Sequence, residues 1–311
     1  MNVLITPRGF ARYGTDEIAR MESLGLSVQC NTTGNPYSAD NFLEMAKDSD
    51  AIIIGVDICD RAVMKQCQKL KVICKFGVGT DNIDLAYAKQ RGIYVGRTVG
   101  SNSLSVAEHV AALMFADAKN LYPTIRDVKA GGWCKPTGAE LHGKSLGIIG
   151  FGAIGKSLAK IATGIGMHVI IYDAFTIDPK TAQENECTIA SLDELLEMSD
   201  YVSLHVPLLD STRDMISTQQ FDHMKRDACL LNASRGGIVD ETALYEALKR
   251  GAIRSACFDV YSSEPPRPES PLLALDNFLL TSHIASRTRE AERRTCLIST
   301  NYILEHLGLQ Q

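Results

Sequence analysis

The sequence predicts an α/β protein built from two doubly wound parallel-sheet domains. Three observations lead there. The chain has 311 residues, enough for two domains. Its first hundred residues alternate short apolar runs with helix-like stretches, and residues 145–281 repeat that alternation. Strands separated by helices at this spacing pair in parallel, because each helical crossover returns the chain to the same end of the sheet.

In the first series the candidate strands are 3–6, 27–32, 51–56, 71–76 and 93–97, with helices such as 16–24 and 39–47 between them. Residues 105–118 then read as a helix. It carries Val106, Val110, Leu113, Met114 and Phe115 and is apolar almost all round, so it is expected to be buried between domains or against another subunit. The second series opens with strands at 145–149 and 167–172 and continues with 200–205, 228–232, 253–258 and 277–280. A helix at 241–250 stops at Gly251, with Lys249 and Arg250 in its last turn, a good C-terminal signal. A final helix at 287–307 carries a narrower stripe of Leu297, Ile298, Ile303, Leu304 and Leu307 and is free to return to the first domain.

The most informative segment is Gly150-Phe151-Gly152-Ala153-Ile154-Gly155. It lies between a strand and a helix, and the strand that follows ends at Asp173, eighteen residues past Gly155. Strand, glycine turn, helix, strand and acid is the order a dinucleotide site requires. The first two glycines let the backbone turn and approach a pyrophosphate, and the third lets the helix pack close. The helix N-terminus then offers N–H groups to the phosphates. A carboxylate at Asp173 accepts from ribose hydroxyls and repels a 2′-phosphate, so NAD is expected rather than NADP. The first series has no such glycine run.

Composition narrows the class. Hydrophobic residues make up 45% and charged residues 22% of the chain, and the net charge is −5. That balance gives no reason to expect nucleic acid or an acidic membrane as partner. The N-terminal run Val3-Leu4-Ile5 is stopped by Pro7 and Arg8, unlike a secretory leader, and no stretch spans a bilayer, so a cytoplasmic location is expected. Nine scattered cysteines, without a C-x-x-C pair, read as reduced, buried thiols; neither a disulfide nor a metal site is expected.

Three polar groups fall at or beyond the ends of the later strands, where open α/β sheets bind ligands. Asn232-Ala233-Ser234-Arg235-Gly236-Gly237 follows one strand, and its arginine has the fork geometry to grip a carboxylate. Glu264 follows the next, after Asp259, and His283 follows the last. Taken singly, Arg235 reads as a surface residue at a turn and His283 as a structural histidine. Together they supply a carboxylate clamp and a proton donor, which reduction of a ketone by hydride needs.

These motifs give the chain a close resemblance to the D-isomer-specific 2-hydroxyacid dehydrogenases, and among them to the phosphoglycerate dehydrogenase-like branch. Lys75-Phe76-Gly77-Val78-Gly79-Thr80-Asp81-Asn82-Ile83-Asp84 is similar to the family's substrate loop, and Leu204-His205-Val206-Pro207-Leu208 to a cofactor segment. The resemblance implies a Rossmann NAD domain at 100–284 inserted into a flavodoxin-like catalytic domain made of 1–99 and 285–311, and a homodimer formed largely by the coenzyme domains. It implies His283 as acid/base, Glu264 as its partner and Arg235 on the substrate carboxylate. It also implies carboxylate contacts from the Val78 and Gly79 N–H groups. The cofactor contacts it implies are Gly150, Gly152, Ala153, Ile154, Gly155, Asp173, His205, Pro207, Ala233 and Asp259. A carboxylate beside an imidazole favours the protonated ring, and Glu264 would also fix the ring's orientation.

The implied activity is interconversion of a small anionic D-2-hydroxy acid and its 2-oxo acid. The tail stays open between phosphorylated, sulfonated and plain. Where the branch carries a basic segment after the third strand, this chain reads Gly55-Val56-Asp57-Ile58-Cys59, and Asp57 would repel a phosphate it faced. Lys75, Arg97 and Lys135 are candidate replacements, though each also reads as a solvated charge. The sequence ends at Gln311, where many serine-pathway members continue into regulatory domains. The alternatives are a formate-type enzyme, which pairs its histidine with glutamine, an NAD-sensing corepressor-like binding protein, and a flavin protein.

Overall fold

The computed structural model describes residues 1–309 and divides them into two compact units. One contains Met1–Asn102 and the chain from Arg287 onward; the other is Ser103–Ser286.

The smaller unit is built on β1 (Asn2–Ile5), β2 (Ser27–Cys30), β3 (Ala51–Ile54), β4 (Val72–Lys75) and β5 (Tyr94–Arg97), all parallel, in the order β2-β1-β3-β4-β5. That is the flavodoxin-like winding, which reverses direction between β1 and β3. Ala51, Ile52, Ile53 and Ile54 are fully buried because helices cover both faces of the sheet. The C-terminal helix Arg289–His306 closes one face, where Cys296, Ile303 and Leu304 join Val3, Ile5, Phe10 and Met21 in one apolar cluster. Its entry is fixed by Thr288, whose side chain accepts from the Ala291 N–H at 3.1 Å.

The larger unit holds β6 (Ser145–Ile149), β7 (His168–Tyr172), β8 (Cys187–Ile189), β9 (Tyr201–Leu204), β10 (Cys229–Asn232), β11 (Ser255–Phe258) and β12 (Phe278–Leu280). They form a seven-stranded parallel sheet in the order β12-β11-β10-β9-β6-β7-β8. This is Rossmann winding with an added strand, and its reversal lies between β6 and β9. Two apolar clusters cover the faces, one around Leu204, Leu230, Leu244 and Phe258, the other around Leu146, Ile148, Leu158 and Leu231.

Two helices depart from the sequence expectation. Ser103–Ala118 buries Val106, Val110, Leu113 and Met114 within the larger unit, in the cluster that also holds Leu158, Ala159 and Ala162 of helix Ala153–Gly164. Much of its apolar character is satisfied inside its own unit, while Leu104 and Phe115 stay exposed. More exposed apolar surface lies on the next helix, Leu121–Lys129, which the sequence reading left unassigned. Leu121, Tyr122, Ile125 and Val128 are each about half exposed there, and none of that helix's residues is buried.

Candidate functional site

Parallel winding places the loops after β6, β7, β9, β10, β11 and β12 at one edge of the larger sheet. Gly150 follows β6 with φ +98°, and a Cβ there would sit 2.5 Å from the His205 carbonyl oxygen. Only glycine allows the loops after β6 and β9 to approach so closely at the winding reversal. Gly155 is equally constrained: its Cβ would meet the Gly150 carbonyl oxygen at 2.4 Å.

Helix Ala153–Gly164 starts directly behind this turn, with Gly152 in extended conformation at its N-cap and no side-chain cap. Among the described residues, no protein group accepts from the N–H groups of Gly152, Ala153 or Ile154. Gly152 and Ala153 are exposed. Free donors at a helix N-terminus, beside a backbone that no side chain can crowd, fit a pyrophosphate. Asp173, at the end of β7, accepts from Phe151 N at 2.7 Å and Phe175 N at 3.0 Å. The carboxylate is thereby fixed next to the glycine turn, with lone pairs left for ribose hydroxyls. These residues fit a dinucleotide.

His205 follows β9. Its Nε2 is 2.8 Å from Ser203 Oγ, while Nδ1 is covered and has no partner among the described residues. The residue keeps some exposed surface, but the charge would sit on the covered ring, so burial lowers its pKa from 6.5 to about 4. Pro207 is exposed and Ala233 half-buried, on the loops after β9 and β10.

The loop after β10 is locked by Asn232, which accepts from Ser234 N at 3.1 Å and donates to the Arg235 carbonyl at 2.9 Å. Arg235 is half-buried, and its Nη1 donates to the Ser234 carbonyl at 2.7 Å. A Cβ on Gly236 would lie 2.1 Å from the Tyr261 carbonyl oxygen, so glycine lets the loops after β10 and β11 abut.

His283 Nδ1 and Glu264 Oε2 are 2.7 Å apart, with their side chains 48% and 39% exposed. Glu264 Oε1 accepts from Tyr261 N at 3.0 Å, which holds the carboxylate toward the ring. A cavity of about 320 Å³, lined by Val260, Tyr261, Glu264, Pro266, Leu280 and His283 among others, opens beside the pair. His283 has φ +55°, a left-handed conformation that costs a non-glycine residue on the order of 1 kcal/mol and persists where surrounding contacts enforce it.

Asp259, expected among the cofactor contacts, also has a second task in the structure. The side chain has no exposed surface and accepts from Ile284 N at 2.9 Å, Ala285 N at 2.8 Å and the Thr281 hydroxyl. It anchors the loop that carries His283, a task that spacing along the chain cannot reveal.

In the smaller unit, Gly77 has φ +139° and accepts from Thr98 N at 3.0 Å. Beyond it, the Val78 and Gly79 N–H groups find no acceptor among the described residues. The Lys75 ammonium donates to the Gly55 carbonyl at 2.6 Å and to Asn82 Oδ1 at 2.7 Å, tying the loops after β3 and β4 together. Asp57 is buried.

The matches to known proteins agree with this edge. Residues 111–285 match the family described as D-isomer specific 2-hydroxyacid dehydrogenase, NAD binding domain. A D-3-phosphoglycerate dehydrogenase of Archaeoglobus fulgidus is 40% identical over 286 residues, 91% of this chain but 54% of that protein. The chain thus spans about half the length of that relative. A glyoxylate reductase of Korarchaeum cryptofilum is 39% identical, covering 86% of this chain and 83% of its own length. A solved structure from Thermus thermophilus superposes with a TM-score of 0.90 at 33% identity, covering 100% of this chain and 98% of the other. A Rossmann unit with a dinucleotide cradle defines a class of oxidoreductase folds. Within it, the chain belongs to the D-isomer specific 2-hydroxyacid dehydrogenase family, and NAD is its cofactor. A corepressor-like binding protein finds no support among these relatives, which are named as dehydrogenases and reductases.

His205 gives the site a measurable pH signature. The unfolded chain binds its proton more readily than the folded one. The stability from the neutral ring is therefore complete above about pH 6.5 and lost as pH falls towards about 4. Between about pH 7 and about pH 4.5, urea titrations should show the wild type losing about 2 kcal/mol more unfolding free energy than His205→Gln. Equal losses would mean the ring is not desolvated.

Proposed function

We propose that the protein interconverts a small D-2-hydroxy acid and its 2-oxo acid with NAD. The observation that carries this reading is the His283–Glu264 pair at 2.7 Å, on the same sheet edge as the dinucleotide cradle. NAD, when bound, supplies or accepts the hydride. Gly150, Gly152, Ala153, Ile154 and Gly155 hold its phosphates, and Asp173 its adenosine ribose. His205, Pro207 and Ala233 line the loops nearest it. Protonated His283 gives its proton to the substrate oxygen in reduction, and the neutral ring takes it back in oxidation. Glu264 orients the ring through the contact at 2.7 Å. Arg235 grips the substrate carboxylate and polarises the 2-oxo group. The Val78 and Gly79 N–H groups of the smaller unit, which find no acceptor among the described residues, suit a carboxylate.

Asp57 adds no positive charge, and the Lys75 ammonium already holds two carbonyl oxygens. We therefore favour a plain, small 2-oxo acid over a phosphorylated one. The same reading includes a homodimer and a cytoplasmic location. The exposed stripe of Leu121, Ile125 and Val128 supports the dimer, and nine free thiols support a reducing compartment. No helix among the described residues is long and apolar enough to cross a membrane.

NADH oxidation against glyoxylate, hydroxypyruvate, phosphohydroxypyruvate and sulfopyruvate tests the activity. The reading expects turnover of glyoxylate or hydroxypyruvate at least about tenfold more efficient than that of the phosphorylated acid, a transition-state difference of about 1.4 kcal/mol. A reversed preference would restore a phosphate-binding tail pocket. Sedimentation tests the dimer: Ile125→Glu should convert dimer to monomer, and an unchanged mass would place the interface elsewhere.

A further inference from the structure

His109 lies on helix Ser103–Ala118, in none of the motifs that define the site. Its side chain is only 18% exposed, and its Nε2 is 3.1 Å from Thr281 Oγ1 and 3.5 Å from Asp259 Oδ1. Those two residues are the ones that hold the His283 loop. His283 N donates to the Asp259 carbonyl at 2.9 Å, and the next two amides, Ile284 N and Ala285 N, end on the Asp259 carboxylate. One carboxylate thus fixes the backbone on which the left-handed His283 depends.

That carboxylate has no exposed surface, so it needs complementary groups around it. Among the described residues, His109 is the side chain within ion-pair distance of it. Proton counting fixes the direction of the contacts. The Thr281 hydroxyl has one hydrogen, and its acceptors are the Asp259 carboxylate and, at 3.3 Å, the Phe258 carbonyl. Thr281 Oγ1 must then accept, so His109 Nε2 carries a hydrogen and donates it. The chain runs from His109 through Thr281 and Asp259 to the amides around His283, all within the larger unit.

We propose that His109 is a positioning residue for the reaction, setting the loop of His283 through Thr281 and Asp259. This rests on the reading of His283 as the acid/base. With His109 replaced by an apolar residue, Thr281 Oγ1 loses its N–H donor and Asp259 the imidazole beside it, and the loop loses the orientation that brings His283 to Glu264. The cofactor cradle, built on the loops after β6 and β7, is untouched.

The test compares wild type, His109→Leu, His109→Gln and His283→Ala as full chains with NADH and glyoxylate or hydroxypyruvate, whichever turns over. His109→Leu should lower kcat about tenfold while leaving the NADH Kd within about twofold. His109→Gln, which keeps an N–H donor, should recover most of that loss. Deuterium exchange of the 281–286 segment with NADH bound should be faster in the leucine variant and near wild type in the glutamine variant. Unchanged kcat and exchange in His109→Leu, with His283→Ala inactive, would overturn the inference and leave the acid–base reading standing. Equal kcat loss in both His109 variants, with no rescue by glutamine, would overturn it in favour of simple packing. An active His283→Ala would remove the acid–base reading and the inference with it.

Discussion

Parallel strand pairing is the constraint on which the rest of this protein depends. Seven parallel strands send every connecting loop after them to one edge, and the winding reverses between β6 and β9. The turn after β6 and the segment after β9 therefore meet, closely enough that Gly150 has no room for a side chain against His205. The loops after β10, β11 and β12 follow along the same edge and bring Arg235, Glu264 and His283 with them. The glycine turn and the His283–Glu264 pair are neighbours because the topology leaves them one place to be.

Position along an edge does not orient a side chain. The larger unit does that with buried polar groups. Asn232 closes the Arg235 loop onto itself, Glu264 is held by the Tyr261 amide, and Asp259 takes the amides after His283. Buried carboxylates are costly unless fully complemented, and a half-satisfied one would loosen the loop it serves. The left-handed backbone of His283 shows where this rigidity is spent.

Much of this was legible in the sequence because it is local. The Gly150–Gly155 run with Asp173 needs only a strand, a turn and a helix in order. Glu264 and His283 stand at strand ends that apolar periodicity locates, and the helices at 105–118 and 241–250 carry their own patterns. What escaped was decided by tertiary contacts. The helix Leu121–Lys129 contains Pro123 and has no side-chain cap, so nothing local marked it, and its apolar stripe was missed with it. The edge strand Cys187–Ile189 is three residues long, too short for a period. The hydrogen bonds of Asp259 to the 281–285 segment follow from the loop folding back over it, which no local pattern marks. His109 sits on a helix whose apolar character hides one polar contact, 172 residues away in the chain.

In the proposed reaction this edge delivers hydride and proton to the two ends of one C=O bond in a 2-oxo acid. Reduction of glyoxylate would give an achiral product, so hydroxypyruvate is the informative substrate, with NADH deuterated at C4 on the face that is transferred. The expected product is a D-2-hydroxy acid with deuterium at C2, read by chiral chromatography and mass spectrometry. An L product, or a reduced product without deuterium at C2, would contradict it.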